Sequence, residues 1–138
     1  MRVLIDTNIV LDSIGNREPF SKVAQEIFLL AASKKLNAAL TASTISDIYY
    51  LTNKRLKNAG QSIDVLKKLF MLFDIVSVDK NDCLKACNTG MADYEDSLLA
   101  VCAVKSKAIY IITRNNKDFV DSPVMPISPD EFLNKFYR

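Results

Sequence analysis

The sequence predicts one α/β domain, a mostly parallel sheet covered by helices on both faces. Three observations carry this. Short apolar runs alternate with segments of helical period along the whole chain, the pattern of repeated βαβ units. The runs are continuously apolar rather than alternating, as strands buried on both faces are. The chain has 138 residues and no linker, repeat or low-complexity stretch, so it is expected to fold as a single domain spanning residues 1–138.

The first run, Arg2–Asp6, is a buried strand ended by an acid. Ile9–Ile14 is a short helix closed by Gly15 and Asn16. Pro19 suits the first turn of a helix to about Lys34, with Val23, Ile27, Leu30 and Ala31 inward. Leu36–Leu40 is the second strand. Thr41 or Ser43 caps a helix whose apolar face is Ile45, Ile48, Tyr49, Thr52 and Leu56. Ser62 is expected to cap the next helix, Ile63 to about Phe73, followed by a strand at Ile75–Val78. Asp79 opens a helix to Cys87, and Asn88–Gly90 breaks it. Asp93 then caps the helix that includes Ala103. Ala108–Ile112 is the clearest strand in the chain. Val124–Ile127 is a last strand, and Pro126 consigns it to a sheet edge because proline has no N–H for a ladder. Ser128, with Pro129 at the first helical position and acids behind it, caps a terminal helix through Phe136.

Composition narrows the chemistry. There is no histidine, so His-based triads and the usual general base are excluded. The three cysteines, Cys83, Cys87 and Cys102, form no CxxC pair and read as free thiols. No apolar run approaches the roughly 20 residues that span a bilayer, so a cytoplasmic location and no membrane role are expected. The net charge of +2 hides an uneven distribution. If Asp6, Asp47, Asp93, Asp96 and Asp118 share one site, 18 bases face the remaining 11 acids, a body of +7 around an acidic pocket. That suits a polyanionic substrate brought to a cation.

The acids point to such a site. Asp96 stands in line with Leu99, Ala100 and Ala103 on a small apolar helical face, where a carboxylate is costly without compensation. Asp6 ends the first strand. Asp118 follows the strand ending at Ile112, and Asp47 lies one turn into the helix after the second strand. All can reach the carboxyl edge of a parallel sheet, where ligands bind in such folds. Carboxylates without histidine or thiolate suit a hard ion such as Mg²⁺ or Mn²⁺, and the chemistry expected is phosphodiester hydrolysis by an activated water.

Four stretches in order, Val3–Asn8 (VLIDTN), Ser43–Leu51 (STISDIYYL), Asp93–Ala100 (DYEDSLLA) and Ile112–Phe119 (ITRNNKDF), resemble the successive motifs of PIN-domain proteins. Ile127–Leu133 (ISPDEFL) looks like that family's ending. The resemblance covers nearly the whole chain. It implies a three-layer α/β/α sandwich with strand order 3-2-1-4-5 and a Mg²⁺- or Mn²⁺-dependent endoribonuclease acting on RNA. It further implies a toxin of VapC type, paired with an antitoxin and commonly dimeric. By position, Asp6, Asp96 and Asp118 match metal-binding acids, and Asp93 matches an acid of a D-x-E-D subgroup. Asp47 falls where the family usually has glutamate, and Asn115 where many members carry an acid. Asn8, Ser43 and Thr113 match residues that orient the acids or bind phosphate.

Plainer readings stand beside these. Asp93 also serves as an N-cap, and Glu95 points away from the Asp96 face toward solvent. Arg114 and Lys117 flank the acid loop as candidate phosphate contacts. Lys54 and Arg55 either complete a helix dipole or form an RNA patch. Tyr49 and Tyr50 read as core or dimer interface before base-stacking platforms. Exposed apolar residues on the Ile63–Phe73 helix suit a homodimer. The alternative function is a catalytically idle PIN-like module that binds RNA or a partner protein. A haloacid-dehalogenase-type phosphatase needs an acid at position 8, and a receiver domain needs one at position 7; Asn8 and Thr7 disfavour both.

Overall fold

All five strands of the protein run parallel in one sheet, seen in a computed structural model that describes residues 1–138. The elements in chain order are β1 (Arg2–Ile5), α1 (Thr7–Ile14), α2 (Ser21–Ala32), β2 (Asn37–Thr41), α3 (Ala42–Leu56), α4 (Ala59–Leu72) and β3 (Asp74–Val76). There follow α5 (Lys80–Ala86), α6 (Tyr94–Lys105), β4 (Tyr110–Ile112), a 3-10 turn (Asn116–Phe119), β5 (Met125–Ile127) and α7 (Pro129–Phe136). The sheet order is β3-β2-β1-β4-β5, the order the family resemblance implies. Leu4 pairs with Ala39 on one side and Ile111 on the other.

Alternation along β1 builds two cores. Val3 and Ile5 face a cluster filled by Ile9, Ile27, Ile48, Leu69 and Phe132 from α1, α2, α3, α4 and α7. Leu4 faces the opposite cluster with Leu99, Ala100, Ala103 and Phe119. The small residues of α6 let that helix lie close to the sheet. Val3, Leu4, Ile5 and Ile111 are fully buried, so the continuous apolar runs have apolar cover on both faces.

The elements expected from the sequence are present, with local differences. α1 begins at Thr7 rather than Ile9 because Asp6 itself caps it, accepting the Thr7 N–H at 2.7 Å. α2 begins at Ser21; Pro19 lies in the preceding turn, after a cis Glu18–Pro19 bond. Its stripe turns slightly, so Ala24 is fully buried while Val23 and Leu30 pack from the side. Ser62 does not cap α4. Asn58 does, accepting the Gln61 N–H at 3.0 Å, and Ser62 is buried one turn later, donating to Asn53 Oδ1 (3.0 Å) and Asn58 O (2.9 Å). Both short polar residues suit a cap, and the one that also lets the buried hydroxyl find partners prevails. Thr41, Asp79, Asp93 and Ser128 cap as expected.

Candidate active site

β1 and β4 end side by side, and their ends set the site. Asp6 leaves β1 with its N–H on Ile112 O (3.0 Å). One carboxylate oxygen accepts from Thr7 N and the other from Thr113 Oγ1 at 2.8 Å. Thr113 is fully buried, and its hydroxyl also accepts the Asn115 N–H at 3.0 Å, so one side chain orients both Asp6 and the loop after β4. Burial pushes the Asp6 pKa above 3.8, while the bonds from Thr113 and Thr7 and the nearby Arg114 charge pull it back.

Asp96 reaches the same place from α6. Asp93 caps this helix, accepting the Asp96 N–H at 3.0 Å. The Asp96 carboxyl is pushed from 3.8 up to about 6, by burial first and then by the charges of Asp93, Asp6, Asp118 and Glu95. Four acids from three segments thus bear on Asp96. That mutual repulsion is what a bound cation would relieve.

A cavity of about 830 Å³ opens here. Of the residues singled out from the sequence, Asp6, Asn8, Ser43, Asp47, Asp96 and Asn115 line it. Asp47 is exposed on the α3 wall. Asp93 and Asp118 stand outside the lining but close enough to act on Asp96, with Asp118 exposed in the 3-10 turn. Thr113 lies beneath, as the support of Asp6. The Asn8 Oδ1 atom is buried with no hydrogen-bond donor on it, although buried acceptors are nearly always partnered. Hydroxyls form the other wall: Thr41 Oγ1 lies 2.9 Å from both Ser43 Oγ and Thr44 Oγ1.

The basic candidates fare differently. Arg114 is committed elsewhere: its Nε and Nη2 donate to the two oxygens of the fully buried Asp12 at 2.6 and 3.1 Å, and its guanidinium lies 4.0 Å from the Phe20 ring centre. Lys117 borders a separate hollow beside β5. Lys54 and Arg55 end α3 away from the cavity lining, and Arg55 reaches Ile14 O at 3.5 Å.

Glu95, Tyr50, Tyr94 and Arg17 are among the lining residues not expected from the sequence. Glu95 was expected to point away, yet it lines the cavity. Side chains in a first turn lean toward the helix start, so they crowd the mouth whichever face they occupy. The D-x-E-D pattern itself held that signal. Tyr50 is two-thirds exposed on the α3 wall, Tyr94 opens α6, and Arg17 comes from the loop after α1. Nothing local in the sequence marks Arg17.

The donors are all oxygen: carboxylates, the amides of Asn8 and Asn115, and hydroxyls. They suit a hard divalent ion. The acids do not gather into a three-acid cluster that would enclose an ion by itself.

A sequence model of the PIN domain matches residues 2–117. A search of curated proteins finds no match. Solved structures match over nearly their full length. VapBC2 from Rickettsia felis, bound to a DNA fragment from their promoter, superposes with a TM-score of 0.69 at 18% identity, covering 93% of this chain and 98% of that one. VapBC-1 from nontypeable Haemophilus influenzae gives 0.69 at 20%, over 94% and 99%. A toxin–antitoxin complex from Klebsiella pneumoniae gives 0.68 at 19%, over 92% and 97%. At these identities the structural likeness is one of fold.

Proposed function

The chain belongs to the PIN-domain family, and from that membership we propose that it is a Mg²⁺- or Mn²⁺-dependent endoribonuclease, the toxin of a toxin–antitoxin pair. The observation that carries the proposal is the single cavity at the carboxyl edge of β1 and β4. There Asp6, Asp47 and Asp96 meet the unpartnered Asn8 Oδ1, and the Asp96 carboxyl is held up at about 6 by burial first and then by its acidic neighbours.

Asp6, Asp96 and Asn8 would hold the cation, with Asp47, Asp93 and Asp118 acting on it through water or through charge. When bound, the ion supplies Lewis-acid chemistry: it acidifies a water and screens the charge that builds on phosphate oxygens in an in-line displacement. The protein's own groups do the rest. Thr7 N–H and Thr113 Oγ–H fix both oxygens of Asp6, so the carboxylate does not have to reorganise. Ser43, beside Thr41, offers a hydroxyl to a phosphate. Asn115 places an uncharged donor where an acid would repel one. Lys54, Arg55 and Lys117 are outer contacts to the RNA backbone; Arg114 is reserved for Asp12.

The solved relatives are toxin–antitoxin complexes, which supports an antitoxin as protein partner. The exposed apolar face of α4 supports a homodimer. The test of function is cleavage of single-stranded and structured RNA with Mn²⁺, Mg²⁺ or EDTA, beside Asp6→Asn and Asp96→Asn. Metal-dependent cleavage that falls by two or more orders of magnitude in both variants is expected. Equal cleavage by wild type and variants would overturn the proposal. A second reading, an idle module that binds RNA or a partner without cutting, is favoured by the absence of a three-acid chelate. Retained RNA binding with no turnover in either metal would select it.

A further inference from the structure

Every residue lining the acid cavity is neutral or acidic except one, Arg17. We propose that Arg17 is a substrate-binding residue that grips a backbone phosphate of the RNA beside the carboxylates. The assignment rests on the ribonuclease reading above.

The geometry behind it is a division of labour at Asp12. This acid is on α1, fully buried, and a lone carboxylate there would be costly. Two arginines approach it. Arg114, whose side chain is about a quarter exposed, donates to both oxygens at 2.6 and 3.1 Å and stacks on Phe20. Arg17 stops at 3.9 Å from Oδ1, beyond hydrogen-bond reach, and its side chain is 49% exposed. The Asp12–Arg114 pair is complete and neutral as a unit. Arg17 therefore keeps its five donors and its charge, and no other acid pairs with it.

Its backbone is nonetheless fixed. Arg17 N–H donates to Asp12 O at 3.1 Å, and Phe20 N–H donates to Arg17 O at 2.9 Å. A stationary backbone carrying an unspent guanidinium at the rim of an acidic cavity is a place for a phosphate, which arginine meets with two parallel hydrogen bonds. It also resolves a conflict in the site. Carboxylates alone repel the polyanion they must cut, and a cation held by them would serve the reacting phosphate. A neighbouring phosphate needs a cation of the protein's own, and Arg17 is the one that lines the cavity.

The test is fluorescence-anisotropy titration of a short labelled single-stranded RNA, with Ca²⁺ in place of Mg²⁺, over a series of salt concentrations. Arg17→Ala, Arg17→Lys and Lys68→Ala are compared, the last removing an equal charge from the exposed face of α4. Arg17→Ala is expected to raise Kd about tenfold at low salt and to reduce the slope of log K against log salt by about 0.7, the value for one phosphate contact on a single strand. Arg17→Lys keeps most of that slope, and Lys68→Ala leaves it in place. In Mn²⁺ turnover the Arg17→Ala loss falls on KM more than on kcat, as loss of uniform binding does. Arg17→Ala and Lys68→Ala giving the same slope would overturn the assignment while leaving the ribonuclease reading intact. A wild-type protein that binds no RNA would overturn both. Thermal melts of each variant identify any that loses binding through unfolding.

Discussion

At Asp96 the requirements of folding and of function oppose each other. Its carboxyl titrates at about 6 in the fold against an ordinary 3.8. The native state therefore holds the proton more tightly than the unfolded chain. Stability from this group is greatest below pH 3.8 and declines as pH rises through about 6. At neutral pH the ionised acid costs the fold on the order of 1 kcal/mol, after allowance for solvent screening of a partly exposed group. Asp96→Asn should thus be more stable than wild type at pH 7 by about that amount and no more stable at pH 4, in denaturant melts without metal. Added Mn²⁺ should raise the wild-type melting temperature more than the variant's, because the variant lacks one of the carboxylates that a cation would neutralise. An equal stability gain at both pH values would show that the acid's charge is not what the fold resists.

At the scale of elements, Lys105 ties the end of α6 to the start of α5, alongside the Ser97 and Tyr94 hydroxyls that donate to Ala86 O and Cys83 O. Lys105 Nζ donates to Asp82 Oδ2 at 2.7 Å and to Ser77 O at 3.0 Å, and Asp82 in turn accepts the N–H of Asp79 to complete a capping box. The Lys105 bond holds the Asp82 carboxyl below its usual 3.8, with the Asp79 backbone bond adding to the effect. For an acid shifted down, the stabilisation is present above pH 3.8 and is lost as pH falls below it. Asp82→Asn should therefore flatten the acid limb of the stability curve below about pH 4, while the wild type keeps it, as read by chemical denaturation at pH 3 and pH 7. This network also shows which parts of the fold were legible in the sequence. Asp79, Asp93 and Ser128 were readable as caps because a cap needs only residues three apart. The strands were readable because their apolar runs are continuous. Asn58 and Ser62 competed for one helix start, and the partner that settled it, Asn53, lies on α3. That Asp6 and Asp96 come together at one cavity was legible from a strand end and a helix face. Arg114 was read as a phosphate contact because its partner, Asp12, is 102 residues away in the chain, and no local pattern reveals such a pair. Arg17 was invisible for the same reason: its freedom depends on that distant bond.

At the scale of the whole molecule, the acidic cavity and the apolar surface lie on different parts of the fold. The cavity belongs to the ends of β1 and β4, whereas α4 and the adjoining edge strand β3 expose Ile63 (41%), Phe70 (50%), Met71 (86%) and Ile75 (38%). Single exposed apolar residues are ordinary, but four on two consecutive elements form a patch that water disfavours. β3 is also an edge of the sheet, only three residues long, which limits open-ended strand pairing. A closed two-fold pairing of this patch with itself fits better. A stable interface takes about 800 Å² from each partner, roughly a tenth of the protein's 7683 Å² surface. Light scattering at micromolar concentration should then return about 31 kDa, twice the chain mass of 15.5 kDa. Met71→Glu should return the monomer, since a charge among these apolar residues must be desolvated in the pair but stays in water when the chains part. Met71 is 86% exposed, so the substitution should change monomer stability by no more than about 0.5 kcal/mol. A wild-type mass of 15.5 kDa would dismiss the dimer outright, and a Met71→Glu protein still at twice that mass would move the interface to another face.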